Sequence, residues 1–100
     1  MRTIQHPFID DIELCRVLYA LSDPARMSVV RQLSSGGEAT CSALDCGRPK
    51  SSMSHHFRVL REAGLMRTRT DGPAHMNDLR RAEIDDRFPG LLAAILDVGN

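Results

Sequence analysis

Lys50-Ser51-Ser52-Met53-Ser54-His55-His56-Phe57-Arg58-Val59-Leu60-Arg61-Glu62-Ala63-Gly64 carries the strongest helical signature in this 100-residue chain. Met53, Phe57 and Leu60 stand at i, i+4 and i+7, which brings their side chains into one apolar stripe, with Val59 and Ala63 flanking it. Lys50, Ser51, Ser54, His55 and Arg58 fall on the other faces, so the outward set is polar and cationic. His56 sits beside Phe57 on the inward side, where a packed, hydrogen-bonded histidine is expected. Gly64 is placed to supply the left-handed residue with which helices commonly end.

Upstream, Ile9, Ile12, Val17, Leu18 and Leu21 recur at roughly helical spacing, with Asp10, Asp11 and Glu13 early, where carboxylates suit a helix N-terminus; a first helix over about 9–21 follows. Ser22-Asp23-Pro24 pairs a capping candidate with a first-turn proline and opens a second helix over 24–33, whose apolar face is Met27, Val29, Val30 and Leu33. Ser34-Ser35-Gly36-Gly37 stops it, because adjacent glycines cost too much backbone entropy to continue. Thr40 or Ser42 could cap a short third helix ending before Gly47.

Downstream, 65–69 and 75–79 are short alternating segments around Asp71-Gly72-Pro73, the chemistry of a hairpin turn. The pattern over 81–98 is helical again, with Ile84, Phe88, Leu91, Leu92, Ile95 and Leu96 apolar, but Pro89-Gly90 must divide it into two short helices. The order helix, helix, short helix, helix, hairpin, helix describes a mainly α fold with a two-stranded β-wing, a winged helix-turn-helix, over one domain spanning 1–100.

A hydrophobic share of 42% with 26% charged residues belongs to ordinary soluble globular chains. A core this small gains from an interface with a second copy. With no apolar run near the ~20 residues of a membrane span and no cleavable leader pattern at the N-terminus, a cytoplasmic protein without a membrane partner is expected. Three cysteines are an odd number for a disulfide framework, and reduced thiols are expected. The formal net charge is zero, yet between Arg48 and Arg81 eight cations face three carboxylates. Phosphate attraction is local over a Debye length of about 8 Å, so a basic face survives overall neutrality.

Four stretches resemble the ArsR/SmtB family of bacterial repressors: Ala20-Leu21-Ser22-Asp23-Pro24-Ala25-Arg26, Ser51 to Phe57, Arg58 to Leu65, and Arg67-Thr68-Arg69. The resemblance covers about residues 15–80, and Arg87-Phe88-Pro89-Gly90-Leu91-Leu92 is similar to a subgroup of the family. It implies a homodimer, joined through the first and last helices, that represses transcription from a palindromic operator and is released by an effector. In that setting Lys50, Ser51, Ser52, Ser54 and His55 occupy the part of a recognition helix that faces base edges and phosphates in the major groove, and Arg58 a phosphate position one turn on. Arg67 and Arg69 would reach flanking phosphates or the minor groove. Asp71 and Pro73 depart from the basic wing tip of relatives, and Pro49 stands where many carry a capping serine.

The effector is not legible. Neither a Cys-x-Cys segment nor a histidine after His75 is present, so the family's metal patterns are not intact and no cofactor is expected. Cys15, Cys41 and Cys46 remain open to three readings: a soft-metalloid site, reversible oxidation joining Cys41 to Cys46, or small buried hydrophobes. Ser54, His55 and His56 lack an oxyanion loop, phosphate cradle or metal motif, which argues against an enzyme. The rival is a winged-helix module used only for protein contacts, which should expose apolar or aromatic anchors where this chain has a polar, cationic face.

Overall fold

The structure, a computed structural model, describes residues 4–97; Val98, the expected end of the last helix, lies outside the described residues. A 3₁₀ turn at Ile9–Asp11 is followed by α1 (Leu14–Ala20), α2 (Pro24–Gly36), β1 (Ala39–Thr40), α3 (Cys41–Leu44), α4 (Lys50–Glu62), β2 (Met66–Asp71), β3 (Ala74–Leu79), α5 (Arg81–Arg87) and α6 (Leu91–Leu96). The helix around Lys50, the hairpin and the two short terminal helices are where the residue pattern placed them. Val17, Val29, Leu44, Met53, Leu60, Leu65, Ile84 and Leu92 meet in one fully buried cluster, each worth about 2 kcal/mol of transfer free energy.

Local chemistry accounts for the helix starts. Asp23 Oδ2 accepts from the amides of Ala25 and Arg26 at 2.8 and 3.1 Å, with Pro24 at the first position of α2. Thr40, rather than Ser42, caps α3 by accepting from Ala43 N at 3.2 Å. Helix α2 runs to Gly36, three residues past the expected end, and stops at Gly37, whose φ is +79°.

Two expectations are corrected. The first helix does not run over 9–21: it breaks between the 3₁₀ turn and α1, because Ile12 adopts an extended conformation (φ −77°, ψ 122°) and drops into the core at 1% exposure. The wing is not two-stranded by itself. β1 pairs antiparallel with β3, Ala39 opposite Asn77 and Thr40 opposite Met76, giving a three-stranded sheet of order β1-β3-β2. Fully buried Asn77 holds it: Oδ1 accepts from Thr68 Oγ1 at 2.6 Å, and Nδ2 donates to Ala39 O at 3.2 Å.

Gly64 joins α4 to the sheet with φ +88°, and an added Cβ would stand 2.5 Å from Ile12 Cγ1. The segment before α1 is clipped to the opposite side of the wing. His6 Nε2 accepts from Thr68 N at 3.0 Å, buried Arg80 donates to Pro7 O at 2.8 Å, and Arg87 Nε donates to Ile12 O at 2.6 Å. Burial, then the cations of Arg80 and Arg67, hold His6 below its ordinary 6.5, consistent with a neutral acceptor. Arg80 also grips Glu83 through Nε and Nη2 at 3.0 and 2.7 Å, and Arg67 Nη2 reaches the same carboxylate at 2.7 Å.

Replacing Gly64 with alanine should cost about 2–4 kcal/mol in urea unfolding, combining left-handed strain with the clash against Ile12. Gly72→Ala, at φ +60° with nothing within 4 Å of the new carbon, should cost only about 1 kcal/mol; equal losses would contradict the packing role of Gly64. A second expectation concerns acid. The hydrogen bonds from Arg80, joined by those from Arg67, bring the Glu83 carboxyl from 4.5 down to about 2. A carboxyl depressed in the folded state stabilises fully above its unfolded value, and that contribution is lost as pH falls from 4.5 towards 2. With solvent on one side of the cluster, about 1–2 kcal/mol of stability should disappear over that window in the parent and not in Glu83→Gln. Parallel stability-against-pH curves would refute it.

Candidate nucleic-acid interface

The division of α4 into two faces is physical as well as sequential. Met53, Phe57 and Leu60 are buried, whereas Lys50, Ser51, Ser52, Ser54, His55 and Arg58 are exposed. The helix starts at Lys50 with Pro49 at its cap (φ −59°, ψ 138°) and no side-chain capping bond; Ser52 Oγ donates to Pro49 O at 3.0 Å. The hydroxyl of Ser52 is thus turned to the helix start, and no side chain caps the amides of the first turn, an arrangement that suits an anion.

How α4 is aimed depends on the joint before it. Cys46 and Gly47 take positive φ values of 52° and 81° in succession, and Asp45 Oδ1 accepts from Gly47 N at 3.1 Å. Two left-handed residues turn the chain sharply between α3 and α4. A non-glycine residue in that region costs about 1–3 kcal/mol unless its surroundings hold it, and Cys46 Sγ is held by Gln32 Nε2 of α2 at 3.3 Å.

The cations do not all face solvent alone. Arg67 and Arg69 project from the outer face of β2, as alternation requires, but Arg67 is paired with Glu83 and Arg69 with both carboxylate oxygens of Glu38, at 3.1 and 2.8 Å. The Glu38 contact holds the Arg69 guanidinium in its charged form. Arg80 is buried on Glu83, and Arg81 pairs with Asp85 at 3.0 Å. Carboxylates from outside the basic segment therefore fold back onto its C-terminal half. Among the described residues neither Lys50 nor Arg58 has an ion-pair partner, so α4 presents positive charge that no carboxylate offsets.

Behind the helix, His56 is half-buried, and its Nδ1 lies 3.1 Å from Nη1 of Arg26, a residue buried in the first turn of α2. Sequence reasoning expected a hydrogen-bonded His56 but missed Arg26, Glu38 and Glu83. The only signal for Arg26 was its place after Ser22-Asp23-Pro24; the two glutamates left none.

The cysteines are corrected in part. Cys15 and Cys46 are exposed and are not small buried hydrophobes, while Cys41 is half-buried and accepts from Asn77 Nδ2 at 3.3 Å. Helix α3 ends at Leu44, between Cys41 and Cys46, but their thiols are held by different elements, the sheet and α2. Among the described residues no group of three or more His, Cys, Asp or Glu could hold a metal ion, and no helix is long and apolar enough to cross a membrane.

Comparison with known proteins agrees with this geometry. Residues 21–69, from the end of α1 through α4 into β2, match a helix-turn-helix domain family. The HTH-type transcriptional regulator YceK of Bacillus subtilis is 36% identical over 86% of this chain and 89% of its own. An arsenical resistance operon repressor of Staphylococcus aureus is 35% identical over 79% of this chain and 77% of its own. A crystal structure of an ArsR family transcriptional regulator superposes with a TM-score of 0.68 at 26% identity, covering 82% of this chain and 91% of that one. These relatives are transcriptional regulators rather than enzymes, and the solved one shares this chain's winged-helix fold. With its exposed polar face on α4, its wing and these relatives, the chain belongs to the ArsR/SmtB family of winged helix-turn-helix, DNA-binding transcriptional repressors.

Proposed function

We propose that the protein acts as a homodimer on a palindromic operator, with the N-terminal half of α4 lying in the major groove of each half-site. The observation that carries this reading is the exposure of Lys50, Ser51, Ser52, Ser54, His55 and Arg58 on one helix whose opposite face is buried. Serine hydroxyls let the helix approach closely, the imidazole of His55 offers a donor or acceptor to a base edge, and Lys50 and Arg58 neutralise phosphates. Arg67 and Arg69 contribute only where phosphate displaces Glu83 and Glu38, so they are secondary contacts. The absence of aromatic anchors from this face favours DNA over a purely protein-docking role.

The second copy covers α1. Leu14, Leu18 and Tyr19 are 43, 44 and 61% exposed on that helix, a concentration of apolar surface that an isolated chain of this size would leave in water at a cost. Together with α6 it forms the subunit contact. For release, the thiols support a soft metalloid or oxidant as effector: Cys46 is accessible and lies off α1, and modification of Cys41 would remove its contact with Asn77.

Titration of the DNA upstream of the chain's own gene, against random DNA at several salt concentrations, tests the reading. Arg58→Ala should weaken binding to both and lower the salt slope by about 1.8, one phosphate's worth in each half-site. His55→Ala should cost about 1–3 kcal/mol on the operator and little on random DNA. Glu38→Gln, which frees Arg69, should tighten both and steepen the slope. Equal losses on the two DNAs for His55→Ala would defeat its base-reading role, and salt-independent binding would favour the protein-docking module. In sedimentation, Leu18→Glu should shift the dimer to monomer and weaken operator binding in parallel; a dimer unaffected by this charge would remove α1 from the interface.

A further inference from the structure

We infer that Arg26 and His56 are positioning residues for operator discrimination: the buried guanidinium ties the end of α1 to the middle of α4 and thereby sets the angle at which α4 presents Ser54, His55 and Arg58. The inference rests on the reading of α4 as the DNA-facing helix.

Arg26 is only 5% exposed, and its side-chain donors reach two other elements, α1 and α4. From the first turn of α2, Nε donates to Ala20 O at 2.7 Å and Nη2 to Tyr19 O at 3.3 Å. These are among the last carbonyls of α1, beyond the helix's own ladder; Tyr19 O also accepts from Ser22 N and Oγ at 3.0 and 2.6 Å. The guanidinium also lies 5.2 Å over the Tyr19 ring. Nη1 is left, and it points across to His56 Nδ1 at 3.1 Å. A guanidinium only donates, so Nδ1 accepts and the ring proton resides on Nε2. Asp23 Oδ2 is 3.8 Å from the same nitrogen, beyond hydrogen-bond length, and already accepts from two backbone amides. The arginine contact is therefore the directional one.

Its geometric consequence concerns rotation. Met53, Phe57 and Leu60 hold α4 by apolar packing, which has no preferred direction and tolerates small sliding movements. A hydrogen bond weakens steeply once its distance or angle departs from the optimum. His56 adjoins His55 and lies two residues from both Ser54 and Arg58, so a bond at its Nδ1 fixes the azimuth of the groups offered to base edges. Loss of that bond leaves phosphate attraction intact, because long cationic side chains adjust, but misplaces the short ones.

The test uses three substitutions at His56 in the full chain, with affinity for operator and random DNA measured alongside thermal stability. His56→Leu removes the acceptor and retains bulk. His56→Gln is polar but carries its oxygen one bond too far out. His56→Asn places Oδ1 where Nδ1 stood. The leucine and glutamine variants should lower the ratio of operator to random affinity about tenfold, the loss of one directional bond's worth of alignment, with random-DNA affinity held within about twofold. Asparagine should restore the ratio. A merely structural role would lower stability without moving the ratio. An unchanged ratio in His56→Leu or His56→Gln, or an asparagine variant no better than these, overturns the inference alone. A parent protein without operator preference overturns the reading of α4 and the inference with it.

Discussion

The absence of a single carbon at Gly64 is the constraint around which the molecule is arranged. Helix α4 must end, reverse and enter the sheet within three residues, Ala63 to Leu65, since Leu65 and Met66 are already fully buried. A left-handed backbone makes the reversal, and the space where a side chain would stand belongs to Ile12. That contact pulls the segment before α1 into the core, breaks what would have been one longer first helix, and brings His6 and Pro7 against the wing. The base of the sheet is closed on the same spot, with Arg80 N donating to Leu65 O at 2.8 Å. The relative orientation of helix and wing is therefore a property of backbone geometry at one joint, supported by neighbours from both ends of the chain.

Charge is arranged with comparable economy. A chain with equal numbers of acids and bases does not present a neutral surface everywhere. Glu38, Glu83 and Asp85 meet Arg69, Arg67 with Arg80, and Arg81, and these pairs neutralise the wing and its root. The exposed pairs Arg69–Glu38 and Arg81–Asp85 contribute little to stability. Their effect is on the field: they neutralise positive charge on the wing, while Lys50 and Arg58 on α4 carry no such partner.

The legible parts of the fold were those decided within a few residues. Asp23-Pro24 announces its helix by capping chemistry, Met53, Phe57 and Leu60 announce theirs by spacing, and Gly64 and Pro89-Gly90 mark the breaks. The outward residues of α4 could be read for the same reason, since one stripe assigned inward assigns the rest. What escaped was decided across the chain. Two residues, Ala39 and Thr40, become a strand only because β3 lies beside them. Ile12 leaves its helix for a pocket at Gly64, fifty-two positions away in sequence. Arg69 finds Glu38, and Arg26 finds His56, through contacts that no local pattern encodes. Cys46 was read as a thiol, whereas its backbone does the more unusual work, turning the chain in a conformation normally left to glycine.

The hydrogen bond from Thr68 N to His6 has a further bearing on assembly. With the order β1-β3-β2, β2 is an outer strand, and an unpaired outer strand is an open template for a strand from another molecule. The imidazole occupies a donor that such a stranger would need, and charged Arg67 and Arg69 stand on either side of it. Edge-to-edge pairing along β2 is thereby hindered at the centre of the wing.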